Sequence, residues 1–358
     1  MTTYRIHQKA DMPKSARPIV ILGAGSIIRD AHLPAYRKAG FSVAGIYDIR
    51  PEAAREKAAQ FGVDTVYTSL EEAVIAAPAG AVFDIAVPAG AVLELVEALP
   101  DEAAVLIQKP MGRNLAEARQ ILGVCRSKRL KAAVNFQLRY APFVIAARGL
   151  IDQGAIGDLH DLEMRLTCYT PWHLWPWLEE EDRVEIRYHS IHYIDLIRSF
   201  LGNPRGIQAK TVKHPAAMKL DSIRTNIIFD YGDVIRANIT TNHGHNYGDR
   251  HQESYLKWEG SAGAIKIRLG LLLNYPDGVP DAFEYCTSAD GSAEWTPVEI
   301  EGTWFPDAFI GSMSNLQRYA EGSAVDIPTS VEDAIHTMRA FEAAHAASDQ
   351  GGVDPSAL

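Results

Sequence analysis

Cysteine is scarce in this chain of 358 residues: three occur, Cys125, Cys168 and Cys286. They are far apart, odd in number and never spaced Cys-x-x-Cys, which argues against a disulfide framework and for a reducing compartment. Long apolar runs are missing too. No stretch of eighteen apolar residues exists, so nothing is expected to span a bilayer. The opening segment MTTYRIHQKADMPKSARP carries no apolar stretch of signal-peptide length, and the expected location is the cytoplasm. Positive charge is also in short supply: 35 Lys and Arg stand against 45 Asp and Glu, a net charge of −10. With no Lys/Arg run to offset it, a nucleic-acid partner is not expected. Internal repeats and low-complexity tracts are absent.

What is present is ordinary for a soluble globular protein, 47% hydrophobic and 22% charged residues, in a length that favours two domains. Residues 1–17 read as a polar arm. From PIVILGAGSI onward, short β-branched strands alternate with helices. FSVAGIYDI, DTVYT, AVFDIAVP, AVLIQKP and KAAVNFQ are the further strands. Between them lie helices with recognisable ends: proline first and glycine just past the end of PEAAREKAAQFG, and Ser69 three residues before Glu72 as a capping box. This alternation predicts βαβ units around a parallel sheet, with ligands at the carboxyl ends of the strands. It stops near Arg139. After one more helix, APFVIAARGLIDQG, five closely alternating strands follow, from DLHDLEMRLTCYT to SYLKWEG, interrupted by a helix over about 190–201. Helices over about 307–321 and 331–348 end the chain. The expected fold is α/β: an N-terminal Rossmann dinucleotide-binding domain at 18–140, then a C-terminal α+β domain at 141–358 with a large, mostly antiparallel open sheet, for substrate binding and oligomerisation.

The dinucleotide reading rests on GAGSII, which follows the first strand directly. Gly23 permits the tight turn, and Gly25 lets backbone N–H groups approach a pyrophosphate at the helix N-terminus, with Ser26 and Ile27 completing the turn. Ile28 stands where the third glycine of the fingerprint normally packs helix against strand, so the helix is expected to sit further out. Asp48, 23 residues past Gly25 at the end of the second strand, is placed to bind the adenosine ribose hydroxyls. It favours NAD, while Arg50 keeps NADP possible by offering a partner for a 2′-phosphate.

A lysine then ends a buried strand in VLIQKP, where a charge is costly unless the strand end opens on something polar. At this point the chain resembles the Gfo/Idh/MocA family of dehydrogenases, which includes glucose–fructose oxidoreductase and inositol dehydrogenases. The resemblance runs through GAGSIIRDAHLPA, YDIRPEAAREKA, VLIQKPMGRNLAEARQIL, LIDQGAIGDLH and HSIHYIDLIRSFLGNP, in that order. The family's Glu-Lys-Pro is QKP here, with Gln108 in the glutamate's place. Its Asp-x-Gly-x-His-x-x-Asp reads Tyr188, Ser190, His192 and Asp195. Val92 stands where the family tends to carry a histidine, four residues after Pro88. The resemblance implies that Lys109 and His192 are the catalytic pair, Lys109 beside the substrate hydroxyl and the nicotinamide and His192 as general base or acid. Tyr188 takes the place of a site carboxylate. Pro88, Gln108 and Lys109 join the cofactor-binding set, and Lys109, His192 and Asp195 hold the substrate.

The residues themselves lead to compatible chemistry. Oxidising an alcohol requires hydride removal from carbon and proton removal from oxygen, and histidine has the pKa for the proton. Tyr188, His192 and Asp195 are spaced i, i+4, i+7 and share a face if the helix begins by Tyr188; His189 is the rival base. TPWHLWPW gathers three of the six tryptophans, and indoles stack on sugar C–H faces, so Trp172 is a candidate substrate contact, as is Tyr247 in the polar segment NHGHNYGDRH. His243-x-His245 within that segment invites a metal, but two ligands do not make a site, and none is expected. The expectation is therefore an NAD(P)-dependent dehydrogenase of a sugar, polyol or related polyhydroxy compound, assembled as a homodimer or homotetramer through the C-terminal sheet. The alternatives are a lyase or glycosidase that uses bound NAD as an internal redox catalyst, and a non-catalytic dinucleotide-sensing regulator.

Overall fold

The computed structural model describes residues 4–275, 277–287 and 294–357; residues 1–3 of the expected arm lie outside them. In chain order, the first half contains β1 (Ile19–Leu22), α1 (Leu33–Ala39), β2 (Val43–Tyr47), α2 (Pro51–Phe61), α3 (Leu70–Ile75), β3 (Val82–Ile85), α4 (Val92–Ala98), β4 (Ala104–Ile107), α5 (Leu115–Ser127), β5 (Lys131–Val134) and α6 (Pro142–Asp152). The second half contains β6 (Leu159–Thr167), α7 (Ile191–Leu201), β7 (Gly206–Val212), β8 (Arg224–Asp230), β9 (Arg236–Asn242), β10 (Glu253–Gly260), β11 (Gly263–Arg268), β12 (Ala282–Thr287), β13 (Trp295–Val298), α8 (Asp307–Glu321) and α9 (Val331–Gln350).

These elements form two compact units, one of residues 9–142 and 304–338, the other of 143–303 and 339–357 with the start of the chain. The first unit holds a parallel sheet in the order β2-β1-β3-β4-β5. Its strands are buried on both faces, as the continuous apolar runs require: all four residues of β1, β3 and β4 are buried. The helix ends match their sequence signals. Ser69 Oγ accepts from the Glu72 N–H, Asn114 Oδ1 from the Glu117 N–H, and Gly62 closes α2 in the left-handed region. DTVYT, expected as a full strand, is reduced to one bridge between Val66 and Ile46, because Asp64 and Thr65 on its leading side have no neighbour to bury against.

The sequence reading divides the chain at residue 140; the compact units divide after 142, and residues 304–338 fall in the first unit and not in a C-terminal block running to 358. The reason is apolar. Phe309, Met313, Leu316 and Ala320 of α8 join Ile19, Ile21, Val82 and Leu106 in one core. The arm takes part as well, with Glu321 accepting from the backbone N–H groups of Lys14 and Ser15.

The second unit is built on an eight-stranded sheet in the order β13-β12-β11-β10-β6-β9-β8-β7. It is antiparallel except where β6 runs parallel to β9. Its inner face carries Leu162, Met164, Leu166, Ile239, Leu256, Trp258, Ile265 and Ile267, all fully buried. Phe200 at the end of α7 lies against Trp258, with ring centroids 5.2 Å apart. The outer face is polar and laced with ion pairs, such as Arg165–Glu253 at 2.6 Å and Lys257–Glu259 at 2.8 Å. Among the described residues no helix is long and apolar enough to cross a membrane.

Candidate active site

In the first unit the site begins at the glycine turn. Gly23 has φ +109°, and a Cβ there would lie 2.4 Å from the Ala86 carbonyl oxygen, so only glycine fits. Gly25 is the opposite case: a Cβ would meet nothing within 4 Å. The face that a pyrophosphate needs is open, and the backbone can be approached there. Ser26 is exposed and Ile27 half-buried beside it. Ile28 is fully buried, and the chain accommodates its side chain with a wide, π-type first turn over Ile28–His32 before α1 begins.

Asp48 ties this turn to the end of β2. Its Oδ2 accepts from the Ala24 N–H at 2.7 Å and its Oδ1 from the Arg50 N–H at 2.8 Å. Oδ1 also accepts from Arg50 Nε at 3.4 Å, and Oδ2 retains a lone pair for a ribose hydroxyl. The Arg50 guanidinium lies 3.4 Å from Oδ1 on a largely exposed side chain. Pro88 is exposed just past β3, and Val92, in the family's histidine position, is buried in the core. The residues present fit a dinucleotide.

At the end of β4, Gln108 donates its N–H to the Ile85 carbonyl at 2.8 Å, and its Oε1 accepts from Asn135 Nδ2 at 2.8 Å. Lys109 follows, joined to Pro110 by a cis peptide. Its side chain is half-buried, and burial pushes its ammonium down to about 7. Near neutral pH the residue is present both as a proton donor and as a proton acceptor, a base role that the sequence alone had assigned to histidine.

In the second unit His192 and Asp195 are both buried on α7. Helical backbone begins at Val184, ahead of Tyr188, but not as a regular α-helix. Tyr188 and His189 stand in a wide turn over Ile186–Ser190, and α7 starts at Ile191, so the simple α-helical i, i+4, i+7 face does not extend back to Tyr188. The Tyr188 ring instead meets Trp177, 5.3 Å away and nearly perpendicular, beside the Leu178–Val184–Leu220–Ile223 cluster. Burial, then Glu181, pushes its phenol well above the usual tyrosine range, which leaves it a donor and not a base. Of the aromatic candidates, Trp172 lies against His189 and His243, at 5.4 Å and 5.5 Å between centroids, and its buried indole Nε1 has no partner among the described residues. Tyr247 is 84% exposed and lies edge-on to His245.

One buried pair escaped the sequence reading. His243, expected only as half of a weak metal motif, faces Glu185 at 3.5 Å and shares a 2.9 Å hydrogen bond with Thr170 through Nδ1. Ser190 Oγ donates to Glu185 at 2.8 Å. Burial alone would lower the His243 pKa, but contacts with Cys168 and Glu185 outweigh it and raise it to about 9. The resulting imidazolium–carboxylate pair lies under His189, whose ring centroid is 4.3 Å from that of His243. Glu185 gave no sequence signal because its partner is remote in the chain. No group of three or more His, Cys, Asp or Glu arranged to hold a metal occurs among the described residues.

An open glycine turn with an acid at the end of β2, followed by a parallel sheet, defines a dinucleotide-binding protein. The chain belongs to the Gfo/Idh/MocA oxidoreductase family. Residues 17–136 match the profile described as oxidoreductase family, NAD-binding Rossmann fold, and residues 144–266 match the GFO/IDH/MocA C-terminal domain. Two D-apiose dehydrogenases are similar to it. That of Paraburkholderia graminis is 22% identical over 92% of this chain and 87% of its own, and that of Rhizobium rhizogenes 24% identical over 67% and 70%. The fold is shared with an oxidoreductase from Agrobacterium radiobacter solved with NAD+, L-tartaric acid and magnesium. That structure is 20% identical, with a TM-score of 0.77 over 96% of this chain and 99% of that one. This protein is an NAD-binding oxidoreductase.

Proposed function

We propose that the protein is an NAD-dependent dehydrogenase that oxidises a hydroxyl of a sugar, polyol or related polyhydroxy compound. The observation that carries the reading is Lys109: a lysine at the carboxyl end of a buried strand, in a dinucleotide-binding unit, with its pKa brought to about 7 by burial. The similarity to two D-apiose dehydrogenases supports the substrate class.

NAD, when bound, supplies the hydride acceptor. The chain does the rest. The backbone of Gly23–Ile27 binds the pyrophosphate, Asp48 takes the ribose hydroxyls, and Arg50 is the group that would admit a 2′-phosphate. Pro88 and Gln108 flank the cofactor. Lys109 hydrogen-bonds the substrate oxygen, and His192 takes the hydroxyl proton, with Asp195 orienting it. Tyr188, held as a neutral phenol, donates to the substrate, and Trp172 and Tyr247 supply stacking faces. Assembly as a homodimer or homotetramer uses the polar outer face of the eight-stranded sheet, where Tyr255 Oη donates to Glu163 at 2.9 Å. The reading places the protein in the cytoplasm, in keeping with its three buried thiols.

The test is a panel of sugars, inositols and glycosides incubated with NAD or NADP and followed by nicotinamide absorbance, beside a parallel set with no added cofactor. Reduction of NAD by a polyhydroxy compound, abolished in Lys109→Ala, is the expected result. Cleavage of a glycoside without net NADH, or tight NAD binding with no turnover, would replace this reading with the lyase or the sensor.

A further inference from the structure

Asp84 poses a problem that the reading above does not solve. It is the third residue of β3, in the middle of the sheet, and fully buried. A carboxylate there is tolerated only if it is well paired. Its Oδ2 accepts from Tyr36 Oη at 2.7 Å and from His32 Nδ1 at 2.7 Å. Burial, reinforced by Asp84, keeps the Tyr36 phenol far above the usual range, so Tyr36 is a permanent donor. With Nδ1 of His32 donating to Asp84, Nε2 faces the Asn135 amide and is the ring's acceptor. Asn135 Nδ2 lies 3.4 Å from that Nε2 and 2.8 Å from Gln108 Oε1, and its two hydrogens serve both. Asn135 in turn donates its N–H to Ile107, the last residue of β4, at 2.7 Å.

We propose that His32 and Asn135 are positioning residues for Lys109: the buried chain Tyr36–Asp84–His32–Asn135–Gln108 fixes the end of β4 on which the lysine stands and joins it to the turn that follows the glycines. The inference rests on the reading of Lys109 as catalytic. The geometry is specific to that purpose. His32 is the last residue of the wide turn Ile28–His32, Asp84 belongs to β3, Gln108 follows β4 and Asn135 follows β5. One hydrogen-bonded chain thus crosses the sheet through three strand ends and stops at the residue before Lys109. The surroundings are otherwise apolar, with the Phe309 ring centroid 4.9 Å from that of His32, where packing alone is met as well by aliphatic side chains. What a polar chain adds is direction. It holds Gln108 Oε1 on Asn135 Nδ2 at 2.8 Å. Once released, that oxygen can accept from Lys109 and favour its charged form.

The experiment is competitive acetylation of the full chain with trace acetic anhydride at pH 7. Labelling of Lys109 is read by mass spectrometry against the exposed Lys219, in wild type, Asn135→Leu, Asn135→Ser and His32→Gln. Only the neutral amine reacts. Asn135→Leu and the smaller Asn135→Ser should each lower Lys109 labelling by about fivefold, the effect at pH 7 of raising a pKa of about 7 by one unit, and lower kcat with little change in the KM for NAD. His32→Gln, which can still donate to Asp84 and accept from Asn135, should retain most of both. A packing role alone predicts a lower melting temperature with unchanged labelling and kcat per folded molecule, and that result would overturn the proposal. The labelling needs neither cofactor nor sugar. If wild type turns over nothing in the panel, the proposed function fails while this assay still reads the chain. If labelling is unmoved in a chain whose turnover dies in Lys109→Ala, the positioning proposal fails alone.

Discussion

Replacing Gln108 by glutamate puts a carboxylate beside Lys109 with little change of shape. The new side chain still accepts from Asn135 Nδ2, which meets Gln108 Oε1 at 2.8 Å, so the strand end keeps its geometry. The two residues are neighbours just past the end of β4, and the charges are taken as about 7 Å apart. At an effective dielectric of about 20 their attraction is roughly 2 kcal/mol, or between about 1 and 2 pKa units once solvent at the half-buried site is allowed for. From its resting value of about 7, the Lys109 pKa should rise to roughly 8–9. At pH 7 the neutral fraction then falls from about one half to between roughly 1% and 10%. If the neutral amine is required, kcat/KM at pH 7 drops about 5- to 50-fold, and the acidic limb of the profile moves up by about 1–2 pH units. The assay is kcat/KM from roughly pH 6 to pH 10 by NADH absorbance, with circular dichroism to establish that the variant is folded. An acidic limb that stays in place would show that Lys109 does not titrate in the reacting step.

Other outcomes follow from the same geometry. Asp48→Ala should weaken NAD binding and relax discrimination against NADP in fluorescence titrations; affinities for NAD and NADP that are both unchanged from wild type would remove Asp48 from the ribose site. Gly23→Ala should cost about 1–3 kcal/mol for its backbone conformation alone, with more from the 2.4 Å approach to Ala86, read as a shifted urea midpoint. His243→Gln should leave Glu185 buried and unpaired, at about 3–5 kcal/mol near pH 6. The raised His243 pKa means that its contribution is complete below its ordinary 6.5 and is lost as pH rises through about 9. The melting-temperature gap between wild type and variant should therefore narrow across that window, and a constant gap would count against the ion pair.

Much of the first unit was legible because its strands are short apolar runs bounded by glycine and proline, and its helices carry caps. Ser69 makes the bond that its spacing implied. The second sheet was legible as far as β10. Strands β11 to β13 went unread in the sequence. The return of α8 to the first core was invisible too: its apolar face has the right period, but period does not say which core it covers. The same limit hid the buried polar pairs. Asp84 was read as part of a strand and His243 as half of a metal motif, since their partners His32 and Glu185 are distant in sequence. The residues placed as candidate cofactor and catalytic groups were found by spacing and resemblance, while the shift at Lys109 depends on burial that only a fold supplies.

The central claim is that Lys109 and His192 serve one substrate oxygen, and steady-state kinetics of Lys109→Ala, His192→Ala and the double variant, with NAD binding measured separately, test it most directly. Loss of a general base costs about 10²–10⁴-fold in rate, so His192→Ala should lower kcat by that order and leave NAD affinity near wild type. Lys109→Ala should lower kcat and also weaken substrate binding, and the two losses should be far from additive, because either one disables the same proton transfer. If His192→Ala keeps most of its activity while His189→Ala loses it, the base is His189; if both retain activity and the Lys109 loss is independent of either, the paired mechanism is wrong.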